Sequence, residues 1–266
     1  MIYICPVCKK QLFSDGKRYY CVGGHSFDIS RKGYVNFLLS SSSSHGDNKD
    51  MITARRRFLE NGYYDEFVNK LCTLIFDYSK GGVLIDCGCG EGYYTGRIAT
   101  SLSNSDVFGF DISSHAVSLA AGKYKNARFF VASASEVPLY DECADVVTNI
   151  FSPLYISEVY RILKPGGIFI YAVPMENHLL GLKEVVYDKV YKNTVSNTSY
   201  SGFECVGRHG VSYNIALDGS AASDLFMMTP YYYNCPRGSF EKIKSCKTIE
   251  TEVGFDYIVY KKHQVG

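Results

Sequence analysis

Residues Val83-Leu84-Ile85-Asp86-Cys87 form an apolar run that passes straight into Gly88-Cys89-Gly90-Glu91-Gly92 and then Tyr93-Tyr94-Thr95. An apolar strand, a glycine-rich turn and a helix start in this order open a βαβ unit. In a doubly wound sheet such a turn lies beyond the carboxyl ends of the strands, near the point where strand order reverses, and ligands bind there. Glycine lets the backbone approach a ligand closely. Further strand candidates follow the first, at 83–87, with helical stretches between most of them: 107–111, 128–132, 146–150 and 168–173. That alternation predicts an α/β fold with a mostly parallel sheet and right-handed crossovers. Beyond Pro174 the pattern is less regular, with a helix expected at 179–191, a short helix at 224–228 and a last strand at 257–260.

A G-x-G-x-G turn alone also fits a dinucleotide site. Three features turn the reading. Asp111 ends the second strand, where an acid can accept hydrogen bonds from ribose hydroxyls. It can equally cap the next helix, since Ile112-Ser113-Ser114 follows. Glu91 puts negative charge where a pyrophosphate would sit, but is tolerable beside a sulfonium and an amino acid. Arg161-Ile162-Leu163-Lys164-Pro165-Gly166-Gly167 leads into the fifth strand. The combination D-x-G-C-G-E-G, strand-end acid and R-x-L-K-P-G-G resembles the class I S-adenosylmethionine methyltransferases over about residues 81–175. The resemblance implies a Rossmann-like fold in which Asp86, Gly88, Gly90 and Gly92 line the methionine and ribose side of S-adenosyl-L-methionine. Glu91, Tyr94 and Thr95 belong to the same turn and helix start, Asp111 holds the ribose, and Ser133 and Ala134 lie near the adenine. Many members have Asp where Ser133 stands; a hydroxyl can still hydrogen-bond there.

The N-terminus carries a different signature. Cys5-Pro6-Val7-Cys8 and Cys21-Val22-Gly23-Gly24-His25 give a C-x2-C…C-x3-H set. Zinc takes four tetrahedral N/S ligands, and a C-x2-C knuckle supplies two from one turn. A module of under 40 residues needs such a staple because its own core is too small. Cys5, Cys8, Cys21 and His25 are therefore the expected ligands of a structural Zn2+. The other cysteines lack partner spacing and read as core residues. No basic stretch followed by an apolar one opens the chain, so a cytoplasmic location with reduced thiols is expected. No apolar run approaches membrane-spanning length, and no membrane partner is expected.

The expected organisation is a zinc-ribbon-like module at 1–37, a flexible serine-rich linker at 38–50, a helical connector at 51–80 and the cofactor-binding domain at 81–266. The linker implies a module that swings relative to the body. Residues 1–57 hold ten Lys/Arg against four acids, a net +6 in a chain whose whole charge is +1. A basic head on a slightly acidic body suits a polyanion-binding module. Arg55, Arg56 and Arg57, on an expected helix start, are candidates for RNA phosphate contact.

The order of Cys5, Cys8, Cys21 and His25, then Gly33-Tyr34-Val35-Asn36-Phe37-Leu38, Met51 to Tyr64, Cys87 to Thr95 and Met228-Thr229-Pro230 resembles the large-subunit ribosomal RNA (guanine-N1) methyltransferases of the RlmA/RrmA kind. The likeness runs from residue 5 to about 230. The absence of Trp, the weakly charged linker and Tyr231-Tyr232-Tyr233 depart from it. It implies methylation of guanine N1 in a hairpin of 23S ribosomal RNA, a homodimer, and cousins linked to antibiotic resistance. At the end of the fourth strand, Asn149 and Ser152 are candidates to orient the guanine and Phe151 to stack on it. No carboxylate stands in Asn149–Ser152 to act as base. A small-molecule methyltransferase would leave the basic zinc module surplus. A non-catalytic RNA binder would tolerate loss of Gly88, Gly90, Gly92 and Asp111, yet all are present.

Overall fold

The computed structural model describes residues 2–39, 48–194 and 199–264. Most of the serine-rich linker lies outside them. In chain order the strands and α-helices are β1 (Phe13–Ser14), β2 (Arg18–Tyr20), β3 (Ser26–Asp28), β4 (Val35–Asn36), α1 (Lys49–Glu60), α2 (Asp65–Tyr78), β5 (Gly82–Cys87) and α3 (Tyr93–Ser101). They continue with β6 (Ser105–Asp111), α4 (Ser114–Lys123), β7 (Arg128–Val131), β8 (Ala144–Ile150), α5 (Ile156–Ile162), β9 (Leu163–Pro174) and α6 (Leu180–Val186). The last are β10 (Phe203–Leu217), α7 (Gly219–Met227), α8 (Ser239–Ser245) and β11 (Ile249–Lys262).

One sheet has the order β10-β11-β9-β8-β5-β6-β7-β4. β5 pairs in parallel with both β6 and β8, so strand order reverses beside β5 and the glycine-rich turn leaves the sheet at that point. β11 and β10 close one edge in antiparallel fashion. All five expected strands form, and the expected last strand is the second half of β11. The helix expected over 179–191 is only α6; its C-cap is Tyr187, and Lys183 turns back to donate to Asn193 Oδ1 at 2.7 Å. β10 was not anticipated. Gly207 and Gly210 interrupt its apolar alternation because Tyr78 and Met175 cross it there: a Cβ would lie 2.3 Å from Tyr78 Oη and 2.5 Å from Met175 Cε.

The expectation of a swinging zinc module is corrected. β4 adds to the main sheet, parallel to β7, with Val35 opposite Phe130. Tyr3 bridges to Leu139, and the Ile4 and Tyr140 amides donate to Pro138 O and Ile2 O across the same seam. Tyr3, Cys5, Leu12 and Phe37 are buried in one cluster with Phe108, Phe110 and Phe130. The crossover from β7 to β8 carries no helix among the described residues, so the ribbon covers a stretch of sheet that a crossover helix would otherwise bury. Helices α1–α3 and α6–α8 pack on the other face around Phe67, Leu71, Phe226 and Tyr257.

The R-x-L-K-P-G-G segment proves to be a brace. Arg161 donates to Glu158, to Asp141 at 2.7 Å and to the carbonyls of Leu139 and Val137, and so fixes the helix-free crossover. Lys164 pairs with Asp145, which also accepts the Val83 amide at 2.8 Å. No helix among the described residues is long and apolar enough to cross a membrane.

Candidate active site and metal centre

Cys5, Cys8, Cys21 and His25 come together as the spacing requires. Their ligand atoms all lie within 4.8 Å of one another. Cys8 Sγ is 3.6 Å from Cys21 Sγ, and His25 Nδ1 is 3.6 Å and 3.4 Å from the sulfurs of Cys5 and Cys21. Tetrahedral zinc with ordinary bond lengths sets its ligands about 3.5–3.8 Å apart, so the set fits the ion. Gly23, which carried no sequence signal, is part of the cradle: a Cβ there would lie 3.3 Å from Cys8 Sγ and 3.5 Å from Cys21 Sγ. Cys5 is fully buried, which ties the metal knuckle to the main core. Cys87 and Cys89 are buried core residues as expected, whereas Cys205 is exposed on the edge strand.

The glycine-rich turn is built from residues on four elements. Gly88, Gly90 and Gly92 have φ of 74°, 55° and 84°. Side chains rarely adopt that region. The amides of Gly88 and Cys89 donate to Phe110 O at 2.9 Å, which hangs the turn on β6. Asp111 accepts from the Gly90 amide at 3.0 Å and from the Ser113 amide at 2.8 Å. The cap of α4 is Ser113, whose hydroxyl accepts from the Ala116 amide, so Asp111 is not the cap. Gly92 serves helix packing, since a Cβ there would stand 2.7 Å from that of Ala120.

Asp86 and Thr95 lie beneath the turn. The Asp86 carboxylate is buried and accepts from Thr95 Oγ1 at 2.5 Å and Thr148 Oγ1 at 2.8 Å. Burial pushes its pKa up to about 6, against the opposing pull of the two hydroxyls. A carboxyl raised in the folded state contributes stability below its ordinary value of 3.8, and that contribution is lost as pH rises through about 6. Between pH 4.5 and 7.5 the chain should therefore lose on the order of 2 kcal/mol that Asp86→Asn does not lose. Denaturant titrations of both proteins at the two pH values test this; parallel pH curves would show that Asp86 ionises normally.

Glu91 is also buried, and burial raises its pKa, with Arg55 as the first opposing charge. Arg55 Nη1 lies 3.5 Å from where a Gly90 Cβ would stand. Arg56 and Arg57 have partners within the chain. Arg57 grips Asp224 with two hydrogen bonds, of 2.9 and 2.5 Å, and Arg56 donates to Glu60 at 2.7 Å. All three sit inside α1 rather than at its start.

At the tip of β8 the candidates divide. Ser152 Oγ donates to Cys87 O at 2.8 Å and receives Asn149 Nδ2 at 2.9 Å, so both side chains brace the tip. Phe151 has φ of 54° and is 44% exposed, resting on Phe255 and Phe67 with centroids 4.9 and 5.4 Å away. Ser133 bonds to Ser135 Oγ at 2.7 Å, and Ala134 faces a small cleft with Cys87, Phe110, Val137 and Asn149. Two buried polar atoms around the turn, Tyr94 Oη and Asn149 Oδ1, have no hydrogen-bond partner. Unpaired buried groups are costly, and here they border a positive-φ turn at the strand-order reversal. Acids, one arginine, bare glycine backbone and unpaired polar atoms together fit a cationic, zwitterion-bearing nucleoside.

Residues 78–220 match the methyltransferase domain family, and residues 3–40 match the RlmA N-terminal zinc ribbon. Bacillus subtilis YxjB, assigned as a 23S rRNA (guanine-N(1)-)-methyltransferase, is 30% identical over 98% of this chain and 97% of its own. The 23S rRNA (guanine(748)-N(1))-methyltransferase of Streptomyces fradiae is 30% identical over 85% of this chain and 84% of its own. A solved structure of Haemonchus contortus phospholethanolamine N-methyltransferase 2 covers 83% of this chain and 60% of its own at 15% identity, with a TM-score of 0.50, and shares the fold. The chain belongs to the family of 23S rRNA (guanine-N1) methyltransferases.

Proposed function

We propose that this chain methylates N1 of a guanine in a hairpin of 23S ribosomal RNA, using S-adenosylmethionine bound at the turn 88–92. The observation that carries the reading is the contact between that turn and the β8 tip. Ser152 packs so closely on Gly88 that a Cβ on Gly88 would stand 2.3 Å from its own. The tip and its half-exposed Phe151 are thus held against the cofactor turn. S-adenosylmethionine, when bound, supplies a methyl group already activated by its sulfonium. The protein's part is then to place the guanine in line with the methyl group and keep it there. Phe151 offers an exposed ring face for a base flipped out of its stack. Asn149 and Ser152 fix that ring by tying the tip to β5. A hairpin suits the site, because loop bases are partly unstacked and cost less to flip.

In this reading residues 1–37 meet the RNA, residues 81–266 carry the chemistry, and α1 and α2 join them. On the ribbon, Phe13 and Tyr20 are exposed and pair at 6.1 Å, with Arg18 over Tyr20. Such a platform suits stacking with a phosphate-directed cation beside it. The assignment is tested by mass mapping of 23S RNA from strains with and without the gene. One guanine should lose its N1 methyl group in the deletion and regain it with purified protein. Transfer of labelled methyl to small metabolites, with none to ribosomal RNA, would overturn the reading.

A further inference from the structure

The connection between β10 and β11, residues 218–248, leaves the sheet at a defined end. β10 and β9 both run antiparallel to β11, and β9 runs parallel to β8. β10 therefore ends on the side where β8 delivers Phe151 and β5 delivers the turn 88–92. The connection is firmly seated there as a cap. A Cβ on Gly219 would stand 2.3 Å from Lys244 O, so α7 and the end of α8 are pressed together. Ile243 is fully buried, Asp224 is held by Arg57 of α1, and Tyr233 Oη donates to Met51 Sδ of the same helix.

What the cap shows to solvent is basic and aromatic. Residues 230–247 carry Arg237, Lys242, Lys244 and Lys247 against the single acid Glu241, within a body that is otherwise slightly acidic. All four cations are exposed, and none pairs with an acid among the described residues. The two acids that precede them are engaged elsewhere, Asp218 by the Ala221 amide and Asp224 by Arg57. Tyr233 is 61% exposed, its ring 5.9 Å from that of Tyr232. From four exposed cations and a solvent-facing tyrosine at the active end of the sheet, we infer that residues 230–247 are a second RNA-contact surface, which takes phosphates of the strand beside the target guanine. The inference rests on the reading of 23S RNA as substrate. Lysine and arginine take phosphates without regard to sequence, and Tyr233 offers a ring to an unpaired base. The ribbon joins the sheet at β7 and the cap leaves it at β10, six strand spacings apart with β8 midway. At about 4.8 Å per spacing this is about 29 Å, so ribbon and cap hold different phosphates, on either side of Phe151.

The test is the salt dependence of binding to a transcribed 23S RNA. Arg237→Gln, Lys242→Gln, Lys244→Gln and Lys247→Gln together should weaken binding by about 10-fold or more at low salt, and should lower the slope of log affinity against log salt by about 0.7–0.9 for each lost phosphate contact. Affinity for S-adenosylhomocysteine should stay within about twofold, since the substitutions are remote from the turn and leave the fold intact. Tyr233→Ala should weaken RNA binding by about fivefold or more with little change of slope, because stacking releases no counterions. Unchanged affinity and slope in the fourfold variant would make the cap a solvated face and overturn the inference. Normal binding of naked RNA with lost methylation of ribosomal particles would assign the cap to a ribosomal protein and overturn it as well. If the unmodified protein binds no 23S RNA and methylates only small metabolites, the RNA reading itself falls, and the cap surface with it.

Discussion

Replacing Cys8 with Ser, or stripping zinc with a chelator, should lower the melting temperature of the whole chain in a single transition. An autonomous module would melt separately and leave the body untouched. The contacts argue otherwise. The Tyr3 ring lies 5.3 Å from Phe130 and 6.0 Å from Phe108, and Phe37 lies 6.0 Å from Phe130. Without the metal, Cys5 and Cys21 lose the ion that closes the ribbon, and a module of this size has little else to hold it. Its loss would uncover Phe108, Phe130 and Leu139 on the sheet. Each large apolar side chain returned to water costs about 1.5–3 kcal/mol. Three of them approach the entire stability of an ordinary domain, about 5–15 kcal/mol. A loss of even 3 kcal/mol moves the melting point by about 6–12 °C in a chain of this size. Cofactor affinity should fall too, because β4 pairs with β7, which runs directly into Ser133 and Ala134. Scanning calorimetry with parallel zinc analysis checks this. Two separate transitions, with the main one unmoved, would show that the ribbon is an independent unit.

The ribbon also marks the boundary of what the sequence makes legible. Its ligands are local, since four residues at fixed spacing define a site that chain geometry must close. Its docking is not local, because Tyr3, Leu12 and Phe37 carry no sign of the sheet they cover. The strand–turn–helix at 83–95 was readable for the same local reason, with backbone signals concentrated in a dozen residues. β10 was not, because it is an edge strand that lies half in water and breaks its alternation at two glycines. Among the arginines, sequence treats 55, 56 and 57 alike. Asp224, which engages Arg57, lies 167 residues away, and the Gly90 turn facing Arg55 is no more visible from α1. A tripled charge on a helix says nothing of which member reaches which partner. Asp86 and Asp111 were rightly placed at the strand ends. Their hydrogen-bond partners, Thr148 for the one and the Gly90 amide for the other, emerge only once the strands are side by side.

Gly88→Ala should leave a folded chain that has lost cofactor binding and methyl transfer by about 100-fold or more, the scale at which misplacement of about 1 Å acts on a reacting group. Two effects combine at this position. The φ of 74° is one that an L side chain adopts at a cost of about 1–2 kcal/mol. The added Cβ would also stand 2.3 Å from Ser152 Cβ and 2.4 Å from its Oγ, which neither atom can tolerate. Ser152 is not free to yield, since its hydroxyl is bonded to Cys87 O and to Asn149 Nδ2. The turn and the tip must therefore move apart, and Phe151 moves with the tip. Gly238 separates the two effects: its φ is 86°, yet a Cβ there meets nothing within 4 Å. Gly238→Ala should cost only the backbone strain and keep full S-adenosylhomocysteine affinity. Adding Ser152→Gly to Gly88→Ala removes the opposing Cβ and should recover part of the lost affinity. Calorimetry on the three proteins, with circular dichroism to confirm that each is folded, gives the answer. Normal affinity in Gly88→Ala would mean that the turn and the β8 tip are not mechanically coupled, and that Phe151 is held in place by Phe67 and Phe255 alone.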